Sequence, residues 1–339
     1  MKRTETRGVV VRCAPGLARV LQLEMRYRKC LPRGARPLVL HQRNHDLVLS
    51  TAVGATEPLA ALRIADDAGV CLVRGRFKVT ASQLDRVAAA CAGRDPWRLL
   101  VTAAGDHFNR MDVERFFARS LGERRVRVVE EAARVLWVHL IDESFYVVRQ
   151  TFSRVQAHDR ARAAERKGSL PTTVAAALAF AAELAAGERV LDPVCGSGTL
   201  LAEAHAKERA LGALLGFDVD ADAVRVARAN LRELPRVDVR LGDGAATGLD
   251  DGSVDVVLAN LPFGKQFGDV ASNPALYRRL LVEMRRVLRA DRGRALLLTS
   301  DGASLAAALR AFGDAECEEL FTVRIRGEAA RAYRIEFGP

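Results

Sequence analysis

Apolar and polar positions follow two different regimes along this chain. Up to about residue 150, short apolar runs and amphipathic stretches follow one another in no fixed order. Residues 8–13 predict a strand, and Pro15-Gly16 opens a helix that places Leu17, Val20, Leu21 and Met25 at helical spacing. Strand-like pieces follow at 37–40 and 46–51, then a helix at 59–65 and a strand at 70–79 with Arg74, Arg76 and Lys78 alternating. A helix at 82–91, a strand at 97–102, a helix at 110–121 capped near Asn109, and strands at 135–140 and 145–150 complete this half. Such mixed order predicts a small α+β region rather than a parallel sheet.

After Pro171 the pattern becomes regular. A helix over 172–186, stopped by Gly187, leads into strands at 189–192, 213–219, 237–241, 254–260 and 294–300. Helices at 199–209, 222–234, 274–288 and 304–312 lie between them, which predicts a doubly wound α/β fold. The chain closes on two runs, 317–326 and 331–337, separated by Gly327-Glu328, an antiparallel hairpin at the sheet edge. Between the halves, residues 151–168 carry Arg154, Arg160, Arg162, Arg166 and Lys167, either a solvated connecting helix or a phosphate-contacting linker. The expected organisation is an α+β region over 1–150, a basic linker over 151–168 and an α/β domain over 169–339.

Composition refines this. With 339 residues and 49% apolar positions, two cores are expected. No apolar run approaches the roughly 18 residues of a membrane helix, since the Ala-rich run 174–186 contains Glu183, and residues 1–7 lead into a strand rather than a signal-peptide core. A cytoplasmic monomer with no membrane contact is expected. The six cysteines have no C-x-x-C spacing and five lie in apolar segments, which argues against a disulfide framework or zinc site. His41 and His45 have helical ligand spacing but fall in a strand, so they read as ordinary surface histidines and no metal is expected. Residues 1–167 hold 31 Lys+Arg against 18 Asp+Glu, a net +13, whereas residues 168–339 hold 21 against 24, a net −3. Genomic base composition would raise arginine in both halves alike. The asymmetry points to a polyanion-docking half joined to a half with other work.

That other work is legible at the strand ends. Val190-Leu191-Asp192-Pro193-Val194-Cys195-Gly196-Ser197-Gly198-Thr199 is a strand, a glycine turn and a helix start, where Gly196 and Gly198 let the backbone approach a ligand. A nicotinamide fingerprint would need a third glycine where Leu201 stands. Asp218 ends the second strand and can accept from two ribose hydroxyls, a helix cap being already supplied by Asp220 or Asp222. Asp243, followed by Gly244, is placed to accept from an adenine amino group or to serve as a turn aspartate. Asn260-Leu261-Pro262-Phe263 ends the fourth strand. An asparagine oxygen and a neighbouring carbonyl there can accept both hydrogens of an exocyclic amine while the ring stacks on the base; an Asx-Pro turn beside a core phenylalanine is the plainer alternative.

These two signatures, with Gly264-Lys265 after the second, resemble the class I S-adenosylmethionine-dependent methyltransferases and most closely the THUMP-domain tRNA guanine-N2 methyltransferases. Residues 169–300 carry the resemblance. Ala14-Pro15-Gly16-Leu17 is similar to the family's opening and 105–150 to the later part of a THUMP fold, while residues 30–75 depart from the pattern. The resemblance implies a Rossmann-like methyltransferase domain preceded by a ferredoxin-like or THUMP-like RNA-binding region. It implies S-adenosyl-L-methionine as cofactor and tRNA as partner. Asp192, with the turn Gly196, Ser197, Gly198 and Thr199, would hold the methionine moiety, and Ser169-Leu170-Pro171 would close over it. Asp218 would hold the ribose, and Asp243 with Gly244 the adenine. Asn260, Leu261 and Pro262 would orient the amine, and Phe263 would stack the flipped base. Cys195 sits at the cofactor turn, which argues against a pyrimidine-attacking nucleophile. Two alternatives stand beside guanine-N2 transfer: N6-adenine methylation of RNA or DNA, and a non-catalytic RNA-binding protein on the same scaffold.

Overall fold

The computed structural model describes residues 8–31, 34–41, 45–50, 57–76, 78–104, 109–141, 143–153, 169–262, 273–325 and 327–338. The basic stretch 154–168 lies outside the described residues. Two compact units divide the chain, residues 1–157 and 158–339.

In the first unit the strands are β1 (Val9–Cys13), β2 (Leu38–His41), β3 (Asp46–Ser50), β4 (Asp67–Arg76), β5 (Trp97–Ala104), β6 (Val128–Val129), β7 (Arg134–Ile141) and β8 (Ser144–Ser153). They form one sheet in the order β2-β3-β1-β4-β8-β7-β5-β6. Among the described residues only β5 pairs in parallel, with β6 and β7, so the sheet is mixed and mostly antiparallel. Helices α1 (Ala18–Tyr27), α2 (Ala81–Ala90) and α3 (Arg110–Gly122) accompany it. Thr80 and Gln83 form a reciprocal capping box on α2, and Asn109 accepts from the Met111 N–H to start α3, as its position predicts. Phe117 and Leu121 of α3 bury against Leu136, Val138 and Val147 of the sheet.

Two expectations change here. Residues 59–65 do not form an α-helix; a 3-10 turn covers Glu57–Ala61, and the N–H groups of Arg63 and Ile64 donate to the buried Glu24 carboxylate instead of to preceding carbonyls. His45 is half-buried 6.3 Å from the ring of His139, not a surface histidine, and burial with the Arg12 charge pushes it down to about 4.

The second unit contains helix α4 (Thr172–Ala181), strand β9 (Arg189–Asp192), helix α5 (Thr199–Lys207), strand β10 (Ala213–Asp218), helix α6 (Ala221–Leu231) and strand β11 (Val237–Leu241). Then follow β12 (Val256–Asn260), α7 (Asn273–Val287), β13 (Arg294–Thr299), α8 (Gly302–Leu309), β14 (Ala315–Ile325) and β15 (Glu328–Phe337). Helix α4 ends at Ala181, five residues short of the predicted end at 186. Arg294, buried and paired bidentately with Glu188, takes the carbonyls of Ala182 and Glu183 that a longer helix would need.

The sheet order is β11-β10-β9-β12-β13-β15-β14. The first five strands are parallel, and β14–β15 is an antiparallel hairpin at the edge, as the sequence predicts. Strand order reverses between β9 and β12. In a doubly wound sheet that reversal opens a crevice at the carboxyl ends of the two strands. Leu191, Val257 and Leu297 of the sheet pack with Leu280 and Met284 of α7 into the core beneath it.

Candidate active site

Strand β9 ends at Asp192, and residues 193–198 turn the chain into α5. Gly196 and Gly198 take φ of 53° and 79°, a region L side chains avoid. Their needs differ. A Cβ on Gly198 would lie 2.8 Å from Leu231 Cδ1 on α6, whereas one on Gly196 would meet nothing within 4 Å. Gly198 serves helix packing, and Gly196 leaves backbone open to a ligand. The Ser197 hydroxyl lies 3.1 Å from that of Ser169 and 3.2 Å from that of Thr199, which ties the segment before α4 to the turn. Pro171 is the N-terminal flank of α4, its carbonyl accepting from Val174 and Ala175. Asn230 of α6 donates to the Ser197 carbonyl at 3.0 Å and fixes the turn from below.

Three carboxylates follow the three strand ends. Asp192 is buried, accepts from the Val194 N–H at 3.1 Å, and is pushed up to about 8 by burial, with the Asp218 charge adding to the rise. Asp218 bridges two turns: one oxygen accepts from Gly196 N–H at 2.8 Å and the other from Asp220 N–H at 3.0 Å. Asp220, not Asp218, caps α6. Asp243 accepts from Ala245 N–H and pairs with Arg279 of α7, and these hydrogen bonds hold its carboxyl below the usual carboxylate range. At Gly244 a Cβ would fall 1.9 Å from the Pro193 carbonyl oxygen, so the turn after β11 closes directly on the turn after β9. The Gly242 N–H donates to the Asp218 carbonyl at 3.0 Å, drawing the same turns together.

The fourth strand end supplies the neutral acceptors. Asn260 closes β12, and its side-chain oxygen is buried with no hydrogen-bond partner among the described residues. An unpartnered buried acceptor costs about 1–3 kcal/mol, a cost a ligand N–H would relieve. Leu261 is buried and donates its N–H to the Leu298 carbonyl; the Pro262 carbonyl accepts from the Tyr277 hydroxyl at 2.8 Å. Phe263, Gly264 and Lys265 lie outside the described residues. Cys195 is buried with its sulfur against Gly216, and burial pushes the thiol well up, so it is no thiolate nucleophile.

The structure thus gathers Asp192, Gly196, Ser197, Asp218, Asp243 and Gly244 around adjoining turns and sets Asn260 on the neighbouring strand. Sequence reasoning missed several residues. Val219 and Leu241 follow or end strands at this rim and expose apolar side chains, 74% and 57% accessible, where a flat ring could rest. For Val219 the available signal was an apolar residue directly after an acidic strand end; Leu241 carries no such mark. Asn230, Arg279 and Tyr277 reach the turns from helices, and no local pattern marks them.

A profile of the family described as UPF0020, RMKL-like, methyltransferase domain, matches residues 160–331, half of the chain. The chain belongs to this methyltransferase family. The bovine (Bos taurus) U6 snRNA (guanine-N(2))-methyltransferase THUMPD2 is 37% identical over 146 residues, covering 41% of this chain and 28% of that protein. The bovine tRNA (guanine(6)-N(2))-methyltransferase THUMP3 is 33% identical over 161 residues, 42% of this chain and 32% of that one. The matched stretch therefore spans less than a third of these relatives' length. TrmN from Thermus thermophilus aligns with a TM-score of 0.81 at 23% identity, over 97% of this chain and 99% of that one, a likeness of fold. The resemblance to guanine-N2 methyltransferases that the two strand-end signatures carry is borne out by these relatives, and so is the Rossmann-like methyltransferase fold.

For the RMKL-like methyltransferase domain, the residues present fit S-adenosyl-L-methionine. A fully buried carboxyl beside a second carboxylate favours a cationic guest, Gly196 leaves its backbone approachable, and the exposed Val219 and Leu241 offer apolar surface to an adenine ring. Among the described residues, no group of three His, Cys, Asp or Glu is arranged to hold a metal ion, and no helix is long and apolar enough to cross a membrane.

Proposed function

We propose that this protein transfers the methyl group of S-adenosyl-L-methionine to the exocyclic N2 amine of a guanine in tRNA. The observation that carries the reading is the buried, unpartnered side-chain oxygen of Asn260, two residues from the Pro262 carbonyl and one strand from the acid-lined glycine turn. An aryl amine delocalises its lone pair into the ring. Two acceptors that take both amine hydrogens counter this by turning the lone pair toward the electrophile, so alignment supplies most of the catalysis. The cofactor supplies an already activated methyl group on a sulfonium, and neither a metal nor a covalent enzyme intermediate is called for.

In this reading Asp192 and the Gly196 backbone receive the methionine end, with Ser197, Gly198, Thr199, Ser169 and Pro171 shaping the turn around it. Asp218 receives the ribose. Asp243 and Gly244 border the adenine, and Val219 and Leu241 flank it. Phe263 stacks the flipped base. The basic residues 1–167, THUMP-like in this reading, dock tRNA through their net +13. The names of the relatives, one acting on tRNA and one on U6 snRNA at guanine N2, favour guanine over adenine. Nucleoside mass spectrometry of tRNA from cells with and without the gene tests the proposal. Loss of N2-methylguanosine is expected; loss of N6-methyladenosine would move the activity to adenine, and an unchanged profile would leave tRNA methylation without support.

A further inference from the structure

Helix α7 carries one fully buried tyrosine whose hydroxyl does not end in the core. Tyr277 sits at 0% exposure, 2.8 Å from the Pro262 carbonyl oxygen and 2.8 Å from Thr299 Oγ1 at the end of β13. A carbonyl can only accept, so the single phenolic proton goes to Pro262, and the Thr299 hydroxyl must donate to the tyrosine oxygen. Thr299 Oγ1 in turn accepts from the Asp301 N–H at 2.9 Å. The Asp301 carboxylate is itself held by Ser304 N–H and by Asn273 Nδ2 at the start of α7. Asp301 N–H, the Thr299 hydroxyl and the Tyr277 hydroxyl thus donate one to the next, and the last donor reaches the Pro262 carbonyl.

We infer that Tyr277, oriented by Thr299, is a positioning residue that fixes the Pro262 carbonyl as the second acceptor for the target amine; this rests on the function proposed above. A carbonyl oxygen has two lone pairs. The tyrosine occupies one and so fixes the direction of the other, whereas an unanchored proline carbonyl at a strand end could turn with its peptide plane. Alignment of a reacting amine is sensitive to displacements of about 1 Å, which makes such an anchor a rate device rather than an affinity device. Burial raises the phenol to about 12, so it stays a donor across the working pH range.

The full-length protein with Tyr277→Phe tests this, using tRNA purified from cells lacking the gene and radiolabelled S-adenosyl-L-methionine. The single-turnover rate at saturating tRNA and cofactor should fall about tenfold, while the Kd for each stays within about twofold. Thr299→Val, which removes the hydroxyl that orients the tyrosine, should reproduce the loss, and Thr299→Ser should restore the rate. If the Tyr277→Phe protein does not fold, the Thr299 pair decides. A wild-type protein that transfers no methyl group to this tRNA would overturn the proposed function and the positioning role together. An active wild type matched by Tyr277→Phe and Thr299→Val would overturn the positioning role alone, as would rates that fall only in step with lost cofactor and tRNA affinity.

Discussion

Cofactor binding should release a proton, and Asp192 should be its source. The carboxyl is wholly buried, is pushed up to about 8, and has the Asp218 carboxylate as a neighbour. At pH 7 a group titrating near 8 is about 90% protonated, and a bound cation at that position requires the carboxylate. Through Asp192 alone, binding at pH 7 should therefore expel about 0.9 proton, and this carboxyl's contribution to observed affinity should rise about 50-fold between pH 6 and pH 8. The stability linkage has the matching sign. A carboxyl raised in the folded state contributes most when protonated, so the cofactor-free protein should lose stability as pH rises from about 4 through about 8, and cofactor should restore it. Calorimetric titration in buffers of different ionisation enthalpy reads the proton count directly. The cofactor's own α-amine titrates near pH 8 as well. Asp192→Asn removes only the protein's contribution, so the difference between the two proteins is the quantity of interest. Equal proton release by wild type and Asp192→Asn from pH 6 to pH 9 would refute the assignment of the buried carboxyl to the cationic end of the cofactor.

Asp218→Ala should weaken cofactor binding by about 2–3 kcal/mol, roughly 30-fold to 150-fold, because it removes the ribose acceptor and frees the Gly196 N–H it holds; unchanged affinity in calorimetry would end the ribose role. Asn260→Ala should leave cofactor affinity nearly intact but slow single-turnover transfer by about 100-fold or more, and a near-wild-type rate would mean the strand-end motif is misread. Gly244→Ala should cost about 2–4 kcal/mol in a denaturant titration, since its Cβ would overlap the Pro193 carbonyl; an unshifted midpoint would show that the two turns part easily. Binding of tRNA should fall steeply with salt, about −0.9 in log-log slope per neutralised phosphate on a duplex, and a fragment of residues 168–339 should keep cofactor binding but lose most tRNA affinity. A fragment that binds tRNA as well as the whole chain would remove the docking role from the basic half.

Where a periodic pattern met an unambiguous stop, the sequence predicted the element closely. Strand β9 ends at Asp192 and β11 at Leu241 where alternation stops, and Asn109 caps α3 through its own side chain. The failures share a cause: a residue distant in sequence supplies or removes a backbone partner. Glu24, some forty residues away, captures the N–H groups that would have continued a helix past Ala61. Arg294, more than a hundred residues away, takes the carbonyls that end α4 early. Strand β6 spans two residues and exists only because β5 lies alongside it. Propensity sums over neighbours in sequence, and these contacts are not neighbours in sequence.

The same distinction separates the legible part of the site from the rest. Asp192, Asp218 and Asn260 each end a buried strand, so a polar residue at the close of an apolar run marks each of them, whereas Asp243 stands two residues past the exposed edge strand β11 and is marked by its Gly-Asp-Gly turn. Bringing them together needs only the sheet order, in which β9 lies between β10 and β12. Residues that reach the turns from helices carry no such mark. Tyr277 and Asn230 sit on amphipathic helices whose polar atoms look like ordinary tolerated positions, yet one donates to the Pro262 carbonyl and the other to the Ser197 carbonyl. The strand ends fix which groups face the crevice; the helices fix how rigidly the intervening backbone carbonyls are held. For a reaction that depends on alignment, sequence motifs at the strand ends therefore predict the chemistry more readily than its rate. Substitutions on α6 and α7 that leave every motif residue intact should alter turnover without altering what is bound.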